Sequence, residues 1–150
     1  HQSFNYGYQR KQAYENMLKK NNVIVNKDYY QESLTATAAN GISLTKILLD
    51  SNNPPTAIIC SLDKFFIGCL QECKNQNLVV GKNISVVGYN DYDYYLSSQN
   101  LTFISHPLAQ MGTDSVNILK KIENGYHPDE VSKLIKPILH EGKSDGPLKI

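Results

Sequence analysis

Residues 56–60, Thr-Ala-Ile-Ile-Cys, and residues 84–89, Ile-Ser-Val-Val-Gly-Tyr, decide the fold of this chain. Each is a short, continuous apolar run rich in β-branched residues, the composition of a strand buried on both faces. Residues 64–75 between them read as a helix. Upstream, Ala38, Ile42, Thr45, Leu48 and Leu49 have helical spacing and are stopped by Asn52-Asn53-Pro54-Pro55. Further upstream, Arg10, Ala13, Tyr14, Met17 and Leu18 recur at i, i+3, i+4, i+7 and i+8, a helix ending near Asn21-Asn22, with β-prone residues at 23–25 and 29–30. Downstream, a polar aromatic loop over 90–100 leads to a strand at 101–105. Pro107 then fits the first turn of a helix whose stripe is Leu108, Met111, Ser115, Leu119 and Ile122. Residues 133–139 offer a last strand, and 141–147 are polar and turn-rich. Alternation of this kind specifies an α/β fold with a largely parallel sheet flanked by helices.

Composition narrows the function. The 150 residues are 41% hydrophobic, enough for a core, and 15 basic against 14 acidic residues give a net charge of +1. There is no run of five basic residues to follow a phosphate backbone, so direct nucleic-acid binding by this segment is not expected. No apolar stretch approaches the roughly 20 residues that cross a bilayer as a helix. Cys60, Cys69 and Cys73 match neither a thioredoxin-type nor a zinc-type spacing. They read as small core residues of a protein in a reducing compartment, the cytoplasm, where the sequons at Asn83 and Asn100 carry no meaning. His1, His106, His127 and His140 are too scattered to propose a metal site, and no cofactor is implied. Glu141-Gly142-Lys143-Ser144 fails as a phosphate loop because Pro137 stands where the first glycine belongs. No Ser/His/Asp set has motif support, so the chain is not read as an enzyme. Residue 1 is histidine with no export signal after it, and the expectation is a fragment of a longer protein.

In an open parallel sheet, ligands sit outside the carboxyl ends of the strands. Asp63 follows one strand end and Asn90 another, so both face the same edge if the strands are parallel. Each has a plainer reading: Asp63 as the N-cap of the helix after it, Asn90 with Asp91 as a turn. Tyr92, Tyr94 and Tyr95 either stack on a ligand ring or cover the sheet edge. Phe65, Phe66, Ile67, Cys69, Leu70 and Cys73 make the 64–75 helix apolar on more than one face. One sheet buries only one face, and a second subunit is the simplest cover, giving an expected homodimer patch that includes Phe66, Ile67 and Leu70; the plainer reading places all of them in the monomer core.

These residues, taken in order, resemble the effector-binding region of the lactose/galactose-repressor (LacI/GalR) family of bacterial transcription regulators, over roughly residues 8–144. The family's arginine, two residues, then glycine-aromatic corresponds to Arg10 through Tyr14. Its Pro-Thr-Ala strand ending in Asn-Asp and followed by Ile-Gly corresponds to Pro55-Thr56-Ala57 through Leu62-Asp63 and Ile67-Gly68. Its Ile-Ser-Val-Val-Gly-Tyr-Asp-Asp corresponds to residues 84–91, and its Leu-Thr-Thr-Ile and Met-Gly to residues 101–104 and Met111-Gly112. The resemblance implies a two-lobed fold like that of periplasmic binding proteins. Here it would supply the C-terminal lobe plus the crossover segment of the other, with the DNA-binding domain and the N-terminal lobe absent from these residues.

The resemblance also implies an effector site made by Arg10, Leu62, Asp63 and Asn90, with His106 as a fourth polar contact. The chemistry suits a sugar: guanidinium donates a rigid fork of N–H groups, carboxylate accepts from two hydroxyls, and an amide does both. Three departures stand out. Leu62 replaces an asparagine, Asn90 replaces an aspartate, and Gly142 replaces the arginine of the C-terminal Leu-x-x-Arg-x-Ser. The implied function is the sensing and dimerisation region of a sugar-responsive repressor, with maltose-type sugars among the candidates and DNA bound only through an upstream domain. The alternative is an extracytoplasmic sugar-binding protein of the same fold.

Overall fold

The computed structural model describes residues 5–89 and 100–147. Asn90, with Tyr92, Tyr94 and Tyr95, lies outside the described residues, as does His1. Helix α1 spans Asn5–Lys20 and is followed by a 3-10 turn at Lys27–Tyr29; then come α2 (Ala38–Leu49), β1 (Ala57–Cys60), α3 (Asp63–Asn75), β2 (Ser85–Tyr89), β3 (Phe103–Ser105), α4 (Leu108–Glu123), α5 (Pro128–Val131) and β4 (Ile138–His140). The four strands form one sheet in the order β1-β2-β3-β4, parallel from β1 to β3, with β4 antiparallel to β3. This is the expected α/β architecture, and the two runs that open the argument are its β1 and β2.

The core lies between the sheet and the α2–α3 pair. Ile58 and Cys60 of β1 and Val86 of β2 meet Leu48, Phe66, Cys69 and Cys73, with Phe103 of β3 behind them. Local chemistry sets the helix limits. The Thr37 hydroxyl caps α2 by accepting from the Asn40 N–H at 3.1 Å. Asn22 and Asn77, both near φ +57°, turn the chain left-handed after α1 and α3, which asparagine tolerates better than most side chains.

The second apolar face of α3 is covered from within the chain. Gly41 of α2 and Gly68 of α3 let the two backbones approach so closely that a Cβ on Gly41 would stand 2.8 Å from the Phe65 carbonyl oxygen, and one on Gly68 would stand 2.7 Å from the Ile42 nitrogen. Of the three residues expected in a pairing patch, one is enclosed within the chain. Phe66 is 0% exposed, its ring filling the space where Gly88 of β2 lacks a side chain, while Ile67 is exposed and Leu70 half-buried against the core.

The seam between β2 and β3 is closed from the far end of the chain. Their register covers only Gly88↔Phe103 and Tyr89↔Ile104, and residues 142–146 wedge in beside it. Ser144, 2% exposed, donates its hydroxyl to the Val86 carbonyl at 2.6 Å and accepts from the Thr102 N–H at 2.8 Å, while the Val86 N–H donates to the Ser144 carbonyl at 2.7 Å. The Thr102 hydroxyl donates to the Asp145 carboxylate.

Two strand expectations need correction. Residues 23–25 form no strand, and Ile24 is 90% exposed. The strand expected at 133–139 is confined to Ile138–His140, since Pro137 has no N–H to give a ladder. The stripe of α4 is real but little covered: Leu108 is 52% and Leu119 61% exposed, and the helix's main neighbour is α5. Among the described residues no helix is long and apolar enough to cross a membrane, and no cluster of His, Cys, Asp and Glu could hold a metal ion.

Candidate functional site

The carboxyl ends of β1, β2 and β3 lie side by side because these strands are parallel, and each delivers a polar or aromatic group to that edge. Ser61 follows β1, Tyr89 ends β2, and His106 follows β3. Arg10, halfway along α1, gathers them. Its Nη1 donates to the Ser61 carbonyl, and its guanidinium carbon lies 3.6 Å from the centroid of the Tyr89 ring and 5.3 Å from that of Tyr6. The Tyr89 ring in turn stands 5.6 Å from the imidazole of His106, tilted by 42°. A guanidinium held flat on an aromatic face with one N–H committed to a carbonyl is preorganised, leaving its other N–H groups with a fixed direction.

Asp63 lies at the same edge but is not the helix cap. Leu62 occupies the cap position in extended conformation and offers no side-chain bond, while Asp63 is the first helical residue and its Oδ1 accepts from the Lys64 N–H at 2.7 Å. A carboxylate in the first turn of α3 gains from the helix dipole. The edge thus collects Arg10, Leu62, Asp63 and His106, whereas the place of Asn90 is not described. Sequence reasoning missed Tyr89, the residue that links Arg10 to His106. Its signal was present: it is the last residue of the second apolar run and directly precedes Asn90.

A cavity of about 450 Å³ adjoins this edge, with Arg10 and Ser61 among its lining residues. It opens between α1 (Arg10, Tyr14, Leu18), α2 (Leu44, Leu48) and the outer edge of β1, and neither Asp63 nor His106 lines it. Its walls are mixed, with Lys11, Gln31, Glu32 and Thr45 beside Tyr14, Leu18, Leu44 and Leu48.

Comparison with known proteins accords with the architecture. Residues 1–144 match the periplasmic binding protein-like domain family. The chain is 28% identical over 127 residues to the HTH-type transcriptional repressor CytR of Escherichia coli K12, covering 84% of this chain and 37% of that protein. It is 30% identical over 118 residues to the ribose operon repressor of Haemophilus influenzae, covering 77% of this chain and 35% of the relative. Among solved structures, a regulatory protein of the LacI family from Chloroflexus aggregans superimposes with a TM-score of 0.82 at 26% identity, covering 93% of this chain and 50% of that one. The lac repressor bound to ONPG gives a TM-score of 0.74 at 23% identity, a likeness of fold. The chain thus spans well under half the length of these curated relatives. It belongs to the periplasmic binding protein-like domain family and is similar to the corresponding region of regulators of the LacI type.

Proposed function

We propose that these residues form the C-terminal sensing lobe of a transcriptional repressor whose effector is a sugar. The observation that carries the reading is the convergence of Arg10 on the carboxyl ends of the three parallel strands, through Ser61, Tyr89 and, behind Tyr89, His106. Arg10 and Asp63 supply donor and acceptor groups to hydroxyls, His106 adds a nitrogen, and Leu62 gives an apolar step where the family pattern has an amide. Hydrogen bonds involving a charged partner contribute roughly 1.5–3 kcal/mol each, so two or three of them set the selectivity among sugars. The relatives named as repressors, one of them of a ribose operon, support the regulatory reading. DNA is contacted by a domain outside these residues, and effector binding acts by favouring one arrangement of two lobes over another. The protein works in the cytoplasm, in keeping with three free buried thiols. It pairs with a second copy through the exposed side of α3 at Ile67 and Leu70.

The test is a thermal-shift panel of mono- and disaccharides, ribose and maltose included, on the full-length protein. A ligand at about 100 times its Kd adds roughly 2.7 kcal/mol of stability, a shift of several degrees at most. Arg10→Ala removes the shift for any sugar that produces one. A shift that survives Arg10→Ala excludes Arg10 from the site, and conversion of a sugar to product overturns the sensor reading altogether.

A further inference from the structure

The start of α3 breaks a rule that the other described helix starts keep. The 3-10 turn, α2 and α5 begin behind Asn26, Thr37 and His127, whose side chains each accept a backbone N–H, and α4 begins behind Pro107, whose ring fixes φ. Helix α3 begins behind Leu62, in extended conformation with no side-chain bond to the helix. Leucine is among the poorest residues for this position, because it offers the first-turn N–H groups no acceptor. Packing does not account for it either. Leu62 is half-buried, yet it belongs neither to the core nor to the residues packed on it, and it does not line the 450 Å³ cavity, although Ser61 and Phe65 do. Its place is the carboxyl edge of the sheet: Ser61 before it gives its carbonyl to Arg10, and Asp63 after it opens the helix with a carboxylate. A local rule broken at a binding edge, with no compensating contact in the core, points to a residue kept for its ligand.

We infer that Leu62 is a specificity-determining residue of this edge, and that the effector is a sugar bearing a deoxy carbon or a methyl group where it meets Leu62. The inference rests on the sugar-sensing reading and names the class of sugar. Arg10 donates and Asp63 accepts, so hydroxyls on either side of the contact find partners. The leucine between them has none to give. A hydroxyl turned toward Leu62 loses its water and gains no hydrogen bond, whereas a CH2 or CH3 group there removes apolar surface from water on both partners. The discrimination open to such a contact is about 10- to 100-fold. Cap and contact oppose each other here: an amide at this place would steady α3 and accommodate a hydroxyl, and leucine forgoes the first to refuse the second.

The test compares the full-length protein with its Leu62→Asn variant, which restores the amide of the family pattern. Without sugar, the unfolding midpoint of the variant is expected to hold or to rise by up to about 4 °C as the new side chain caps α3. A lower midpoint makes Leu62 a packing residue and overturns the inference. Binding is then titrated with matched pairs: glucose, galactose and mannose each beside the 6-deoxy counterpart, and glucose and ribose each beside the 2-deoxy one. The expected result is a pair whose deoxy member binds the wild-type protein about tenfold or more tightly than its parent, with Leu62→Asn abolishing or reversing that order. Parent sugars binding at least as tightly as every deoxy counterpart, or a deoxy preference that Leu62→Asn leaves intact, overturns the inference while the sugar-sensing reading stands. Absence of binding by every member of every pair overturns it too, and the wider panel of mono- and disaccharides then decides the sensing reading.

Discussion

Gly88 shows how closely single residues constrain this domain. A Cβ there would overlap the Phe66 ring, which is fully buried. Gly88→Ala is expected to destabilise by about 1–3 kcal/mol through overpacking, read as a lower midpoint in urea with an unchanged slope. The buried thiols give a second residue-scale prediction. Hydrogen bonding to Cys60 and burial push the Cys69 thiol up to about 12, and hydrogen bonding with Cys69 together with burial pushes Cys73 upward as well. In the unfolded chain a cysteine ionises near pH 8.5, so folding holds protons that the unfolded state releases. This contribution to stability is complete below about pH 8.5 and declines as the pH rises toward the folded value. The unfolding midpoint should therefore fall progressively above about pH 8.5, and a thiol reagent should leave Cys69 untouched in native protein at about pH 9. Cys69→Ala, tested in the same series, should flatten that fall. At this scale Asp63 was legible because it stands just after a strand end, whereas Arg10, inside α1, was singled out only by the family pattern. The role of Gly142 was not, since the backbone of Leu101 that forbids it a side chain is distant in sequence.

Among the elements, continuous β-branched runs proved decisive where both neighbours of a strand lie within the described residues, as for β2. They also held for β1, which has a single described neighbour, and misled only at residues 23–25. Residues 23–25 have strand composition and no partner edge. Helix α3 taught the converse. Its excess of apolar residues was real, but periodicity alone does not say what covers a face, and the cover is α2, admitted by Gly41 and Gly68. Gly68→Ala is expected to push α2 from α3 and cost about 1–3 kcal/mol despite alanine's better helix propensity, measurable by thermal unfolding. Ser144→Ala leaves the Thr102 N–H and the Val86 carbonyl short of a partner in a buried seam. A loss of about 1–3 kcal/mol is expected, with faster exchange at the Thr102 amide.

For the whole molecule, the coarse architecture followed from the order of elements, whereas the assembly did not, because pairing is written on surfaces rather than in periodicity. With Phe66 enclosed, the proposed homodimer rests on Ile67, 40% exposed, and on half-buried Leu70. Ile67→Glu should convert a dimer to monomer in sedimentation while leaving the unfolding midpoint of the monomer within about 0.5 kcal/mol; an unchanged dimer moves the pairing surface elsewhere. The seam between β2 and β3 also has a consequence for synthesis. Thr102 waits for Ser144, 42 residues later, before its N–H finds the hydroxyl that locks it. On a ribosome adding about 5–20 residues per second, that interval is roughly 2–8 s, during which the nascent sheet stands ajar at its middle. A chaperone that shelters emerging β-structure would have its window of action there, and premature termination within that stretch would release a chain that had made every parallel strand yet could not latch them.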